Sequence, residues 1–305
     1  MTAHLLLLAL SSLLLAQPSG AWESAPPLGE PRAEIAAAVL NNQIFVAGGF
    51  DQRGADLVSV EAYDPGDAAW TFHRSLPRGL NHLGVVALNH TLYVVGGIGG
   101  GSPTNGLYAY DEATDTWSQR ADLPLRRAAA AVVAAAGKLW VFGGIGDRAG
   151  ATLAYDPSTD AWELEAAIPT LREHVAAAVV DERVYVVGGR WADRGNLPTL
   201  EVYDPSTDQW QSLPPMPTPR GGLSAATLRG QVHVLGGEAF GPDHTFAEHE
   251  VFDPQTNTWT AAPSLPTPRH GLGLAVLDDR LYAIAGGPTA GLSTTQLVEV
   301  FHPVD

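Results

Sequence analysis

Five arginines, Arg32, Arg127, Arg172, Arg220 and Arg269, each stand ten residues after a tryptophan, and in one further instance of the spacing, after Trp70, the position is held by Leu80. A guanidinium is a planar, permanently charged fork that grips carboxylates and phosphates through paired hydrogen bonds. A ring of such forks could receive a sugar acid, a phosphate or an acidic peptide. The same regularity supports a structural reading, because a residue that recurs so evenly meets a recurring need. Glu61, Glu201, Glu250 and Glu299 recur in step and would serve as ion-pair partners, leaving one or two arginines for a ligand. His82 and His174 follow the arginine position by two residues, where an imidazole could act as general acid or base beside Arg172, or simply hydrogen-bond the nearby chain.

Residues outside the regular spacing are better suited to one asymmetric ligand. The stretch GGRWADRGNLPTL carries Arg190 and Trp191 with Asp193 and Arg194, and an exposed indole there could stack on a sugar or anchor a partner, or fold over its own loop. GGEAFGPDHTFAEHE offers Glu238, Asp243, His244, Glu248 and His249. These types ligate metals, but their spacing matches no metal motif and a solvated acidic loop is the simpler reading. No metal and no cofactor is expected.

The elements that would position these groups are set by a repeat. AYDPGDAAW, AYDEATDTW, AYDPSTDAW, VYDPSTDQW and VFDPQTNTW each place an aspartate six residues before a tryptophan: Trp70, Trp117, Trp162, Trp210 and Trp259. From each of the first four, a glycine pair begins 26 residues on (Gly96 and Gly97, Gly143 and Gly144, Gly188 and Gly189, Gly236 and Gly237). Trp22 stands at the same 26-residue distance from Gly48 and Gly49. The last interval reaches Ala285 and Gly286 in YAIAGG, which reads as a local bulge. Length varies only between doublet and aspartate, so one loop per repeat carries the variation. Within a repeat, two near-continuous apolar runs precede two alternating ones, which is the pattern of two strands buried on both faces followed by two outer strands. Repeats of about 45 to 50 residues with four strands each indicate a β-propeller.

These residues resemble the Kelch family: a Gly-Gly doublet ending the second strand, Tyr-Asp in the third, and Trp six residues after Asp in the fourth. Six copies in register cover residues 22–305. Trp140 and His233 stand where Tyr or Phe is usual, and His302 where Asp is. The resemblance implies an all-β, six-bladed Kelch-type propeller with four antiparallel strands per blade. The chain ends after a third strand, so the segment at Trp22 should close the last blade against Val298 to Phe301. The resemblance also implies a binding module for a protein, peptide or carbohydrate, acting through the face that holds the B–C loops and the crossovers between blades. The alternative it implies is a sugar epimerase of the sialic-acid mutarotase type, using His82, His174 and Arg172. The copper chemistry of related galactose oxidases needs a cysteine, and this chain has none.

Composition bounds the rest. With 33 acidic against 17 basic residues the net charge is −16, which disfavours nucleic acid and anionic membranes. The apolar run Leu5 to Ala16 has the length of a signal-peptide core and is too short to span a bilayer. Residues 1–21 are expected to be a signal peptide, cleaved after Ala16 or Ala21, and residues 22–305 a secreted or periplasmic monomer without a membrane span. Asn89 in LNHTLY is a glycosylation sequon if the chain is exported by a eukaryote.

Overall fold

The computed structural model describes residues 19–304, so most of the expected signal segment lies outside the described residues. The described residues form a six-bladed propeller in which each blade is an antiparallel path of four strands. The first blade comprises Ala36–Leu40, Gln43–Ala47, Val60–Asp64 and Ala69–His73. The next four span 84–119, 131–165, 176–212 and 221–262. Among the described residues no helix is long and apolar enough to cross a membrane.

The sixth blade is built from both ends of the chain. Gly273–Leu277, Arg280–Ile284 and Val298–Pro303 are completed by Gly20–Ala25, with Trp22 opposite Phe301 and Ala25 opposite Val298. The ladder runs two positions further than the repeat alone implies, through Ala21 opposite His302 and Gly20 opposite Pro303. Joining the termini pairs two strand edges that would otherwise be open.

The repeated residues each have a local cause. The aspartates Asp64, Asp111, Asp156, Asp204 and Asp253 accept the amide two residues on, fixing the turn between third and outer strands. His302 replaces aspartate in the sixth blade because the chain makes no such turn there; it bonds Glu23 of the closing strand instead. Each of the six tryptophans donates its indole N–H to a carbonyl four residues after the tryptophan of the preceding blade. Trp70 reaches Pro26 and Trp117 reaches Arg74, and Trp22 closes the circle onto Pro263 at 2.8 Å.

The doublets pin blade to blade. The second glycine of each pair donates its N–H to the carbonyl of the arginine-position residue of the following blade, as in Gly97 to Arg127 and Gly286 to Arg32. The first glycine lies at positive φ against the same backbone; a Cβ on Gly96 would meet the Arg127 carbonyl oxygen at 2.3 Å. Ala285 corrects the bulge expected from the sequence. Its φ of 54° and its N–H bond to Leu297 match those of the other first-doublet positions, so the alanine holds a glycine conformation in unbroken register. Trp140 and His233 are buried packing replacements, the first donating to the Ala135 carbonyl and the second meeting His249.

Candidate functional site

The arginines are spent on the scaffold. Arg32, Arg172, Arg220 and Arg269 are 0% exposed and pair with Glu61, Glu201, Glu250 and Glu299 at 2.5–2.8 Å. Each also donates to carbonyls of its own blade, for example Arg172 to Val186. The guanidinium thereby ties the crossover to the second and third strands. In the third blade Leu153 stands where the glutamate would be, and Arg127 donates to the carbonyls of Asp147 and Arg148 instead. In the second blade both partners change together: Leu80 is buried in the arginine place and Tyr108 stands in the glutamate place. The expectation that Arg32, Arg127, Arg172, Arg220 or Arg269 presents a fork to a ligand is therefore corrected, because all five are buried and bonded within their own blades, away from the channel lining. The exposed Arg78 of the second blade lies against Gly99 on the loop face.

Two residues beyond each arginine position the backbone turns into the innermost strand, and all six residues there take positive φ: Glu34, His82, Ala129, His174, Gly222 and Gly271. Five successive N–H groups, from His82 to Glu34 round to Gly271 to Gly222, bond the carbonyl of the preceding blade at 2.8–3.0 Å. The Ile35 N–H closes the ring on Gly271. This hydrogen-bonded collar forms one mouth of the axial channel, a space of about 140 Å³ whose wall below the collar is alanine, valine, leucine, isoleucine and glycine apart from Ser224.

On that symmetric collar sits an asymmetric circuit of side chains. Glu34 is 3.3 Å from His82, and His82 Nε2 is 3.0 Å from His174 Nε2. His174 Nδ1 lies against the Glu173 carboxylate. Glu173 accepts from Arg190 at 3.0 Å, and Arg190 donates to Glu238 at 2.7 Å. His270 stands 3.6 Å from Glu238 and 3.7 Å from Glu34, closing the loop. Two positions per blade supply the outer members: the residue before the collar (Glu173, His270) and the residue after the doublet (Arg190, Glu238); within a blade these positions pair, Glu173 with Arg190, His270 with Gly287 and Gly221 with Glu238.

Burial dominates the electrostatics. It pushes the Glu34 carboxyl up to about 7 against the pull of His270, holds His82 down to about 4, and keeps His174 well below the ordinary imidazole range. Three carboxyls face one guanidinium, so the mouth suits a neutral or positively charged group better than the acid that an arginine ring would have drawn. Two sets, Glu34 with His82 and His174, and Glu34 with Glu238 and His270, bring nitrogen and oxygen donors within 4.8 Å of one another.

Of the residues singled out from sequence, His82, His174, Arg190 and Glu238 meet here. Trp191 does not; it is half-buried in the fourth-blade loop, its backbone paired with Gly195. The fifth-blade set is dispersed, with His249 inside the blade at 2.8 Å from His233 and His244 edge-on to Phe246. Glu34, Glu173 and His270 were not singled out. Aligning the repeats twelve residues after each tryptophan places Glu34 beside His82 and His174, at positions where other blades carry glycine or alanine.

The family described as the KLHDC2/KLHL20/DRC7 Kelch-repeats domain matches residues 11–167 and 119–287. An F-box/kelch-repeat protein of Arabidopsis thaliana is 38% identical over 76 residues, which is 25% of this chain and 20% of that protein. Kelch-like protein 35 of Mus musculus is 34% identical over 80 residues, 26% of this chain and 14% of its own length. Beta-scruin of Limulus polyphemus is 34% identical over 77 residues, 25% of this chain and 8% of that protein. The matched stretches thus span a fifth or less of these relatives. The solved structure of YjhT superimposes with a TM-score of 0.79 over 92% of this chain and 99% of that one, at 16% identity, a likeness of fold. The chain belongs to the Kelch-repeat β-propeller family.

Proposed function

We propose that this protein is an exported binding propeller that holds a neutral or positively charged group of a peptide or glycan in the side-chain circuit at its crossover mouth. One observation carries the reading: a closed, asymmetric set of carboxyl, imidazole and guanidinium groups sits on a collar that is built equally well from Ala129, Gly222 and Gly271. Function concentrates where a rigid scaffold departs from its own symmetry. Phe240, 55% exposed with Arg190 5.2 Å from its ring centre, lies beside the circuit and supplies an apolar face for stacking.

The test is retention of neutral and acidic glycans, and of basic and acidic peptides, on immobilised protein. A neutral or basic ligand should be retained, and lost in Glu238→Ala and His174→Gly. Retention of acidic ligands alone, or retention unchanged by both substitutions, would contradict the assignment.

A second reading, a sugar epimerase or mutarotase, is favoured by the mutual contact of Glu34, His82 and His174, three groups able to pass a proton at one spot. It has no part for Arg172, which is enclosed in its ion pair. Exchange of sugar anomers above background in NMR, abolished by His82→Gly, would establish it over simple binding.

A further inference from the structure

We propose that His82, His174 and Glu34 form a site for a divalent transition-metal ion of the zinc class. The proton positions on the two imidazoles lead to it. Asp56 can only accept, and takes the Gly100 amide at 2.8 Å and the Asn81 side-chain amide at 2.5 Å. The Asn81 oxygen therefore faces His82 Nδ1, at 2.5 Å, and that nitrogen carries the proton. At His174 the Glu173 carboxylate lies against Nδ1 without an aligned hydrogen bond, and its negative charge favours the proton on that nitrogen. Both Nε2 atoms are then bare lone pairs, and they face each other at 3.0 Å.

Two lone pairs at that separation repel unless a positive centre lies against both. A metal bound to nitrogen at about 2.0–2.1 Å in tetrahedral geometry sets its ligand atoms roughly 3.3 Å apart. The spacings are of that size, 3.0 Å between the imidazoles and 3.3 Å from His82 Nε2 to Glu34 Oε2. Two imidazoles and a carboxylate suit zinc and its neighbours in the transition series. The outer partners fit as well, since metal-binding histidines characteristically give their second N–H to a carboxylate, carbonyl or amide oxygen, as His82 does to Asn81, and a carboxylate, Glu173, lies beside the second nitrogen of His174. All three ligands hold positive φ, 54°, 50° and 50°, at positions where a glycine would be unstrained. With three protein ligands the fourth position is open to a ligand oxygen at the mouth. The second set sharing Glu34 is looser, with contacts of 3.6–3.7 Å, and its Glu238 is already bonded to Arg190.

The inference does not depend on which organic ligand the mouth holds. Its test uses the mature chain, stripped with a chelator and titrated with zinc alone, with cobalt as a visible-spectrum probe. One equivalent should bind and cobalt should give a tetrahedral absorption. His82→Gly/His174→Gly, which the backbone accepts and whose folding circular dichroism checks, should weaken binding by 100-fold or more, and Asn81→Leu by about 10- to 100-fold. Absence of stoichiometric binding, or binding unchanged in the double variant, overturns the proposal. So does an imidazolium signal from these histidines in metal-free protein at neutral pH that zinc leaves unaltered, since a shared proton would then hold the pair.

Discussion

His82 and His174, contributed by blades that are not neighbours, meet with their Nε2 atoms 3.0 Å apart, while the Ala129 backbone between them bonds to both. They are 92 residues apart in sequence, and only the collar of the propeller brings them together. Packing alone does not ask for this. An imidazole pair at positive φ over an apolar shaft costs conformational and desolvation energy, and the arrangement makes sense as a place where a charged or polar group is received.

Removing one member of an arginine–glutamate staple leaves a buried charge alone. Glu201→Ala is expected to lower the unfolding free energy by about 3–5 kcal/mol in urea denaturation. The double replacement Arg172→Leu/Glu201→Tyr, which copies the natural Leu80 and Tyr108 combination, should lose less than half as much.

Ring closure through the N-terminal strand makes Trp22 worth as much as its counterparts. Trp22→Ala, which removes a half-buried indole and its bond to Pro263, should cost on the order of 2 kcal/mol. If the proposed export holds, mass spectrometry of the secreted chain should find a mature start no later than Trp22, the residue that closes the ring opposite Phe301. A start at Glu23 or beyond would contradict the closure.

Ala285 holds a left-handed backbone conformation that its counterparts fill with glycine. Ala285→Gly is therefore expected to stabilise the protein by about 1 kcal/mol, read as a rise in thermal midpoint of a few degrees. No change, or a fall, would show that the alanine methyl packs well enough to offset its backbone cost.

Acid sensitivity should come from the fifth blade's interior as well as from the collar pair His82 and His174, which burial also keeps neutral. His249 donates through Nδ1 to Pro263 and accepts from His233, so both are neutral and buried. Burial holds His233 down to about 3 and His249 down to about 4. The unfolded chain takes up these protons near pH 6.5 while the folded chain does not. Stability is thus full above about 6.5 and falls toward pH 4, by about 1.4 kcal/mol per pH unit for each histidine. His233→Phe should flatten that fall by one histidine's share in denaturation curves taken across the range.

How much of this could be read from sequence depends on whether a feature repeats. The constant 26-residue step from tryptophan to doublet revealed the blades and placed Trp22 in the last one, because strand pairing and interblade bonds impose the same spacing each time. The pairing of Arg172 with Glu201 was legible for the same reason. His82 and His174 were visible as deviations at one repeat position. Glu34 stands at that same repeat position, twelve residues after Trp22, and was legible in the same way, whereas Glu173 and His270 were not, because their significance lies in meeting across the axis, and neighbours across a ring leave no spacing signal along the chain. The bulge inferred at Ala285 failed because a methyl group can be held at positive φ when the surrounding bonds fix it.

The central claim, that the collar's charged residues serve a ligand and not the fold, is tested most directly by Glu34→Gly/His82→Gly/His174→Gly. Glycine keeps every backbone bond of the collar and relieves three left-handed residues. The thermal midpoint should stay unchanged or rise while retention of ligand at the mouth is lost. A midpoint lower by many degrees with ligand retention intact would contradict the account.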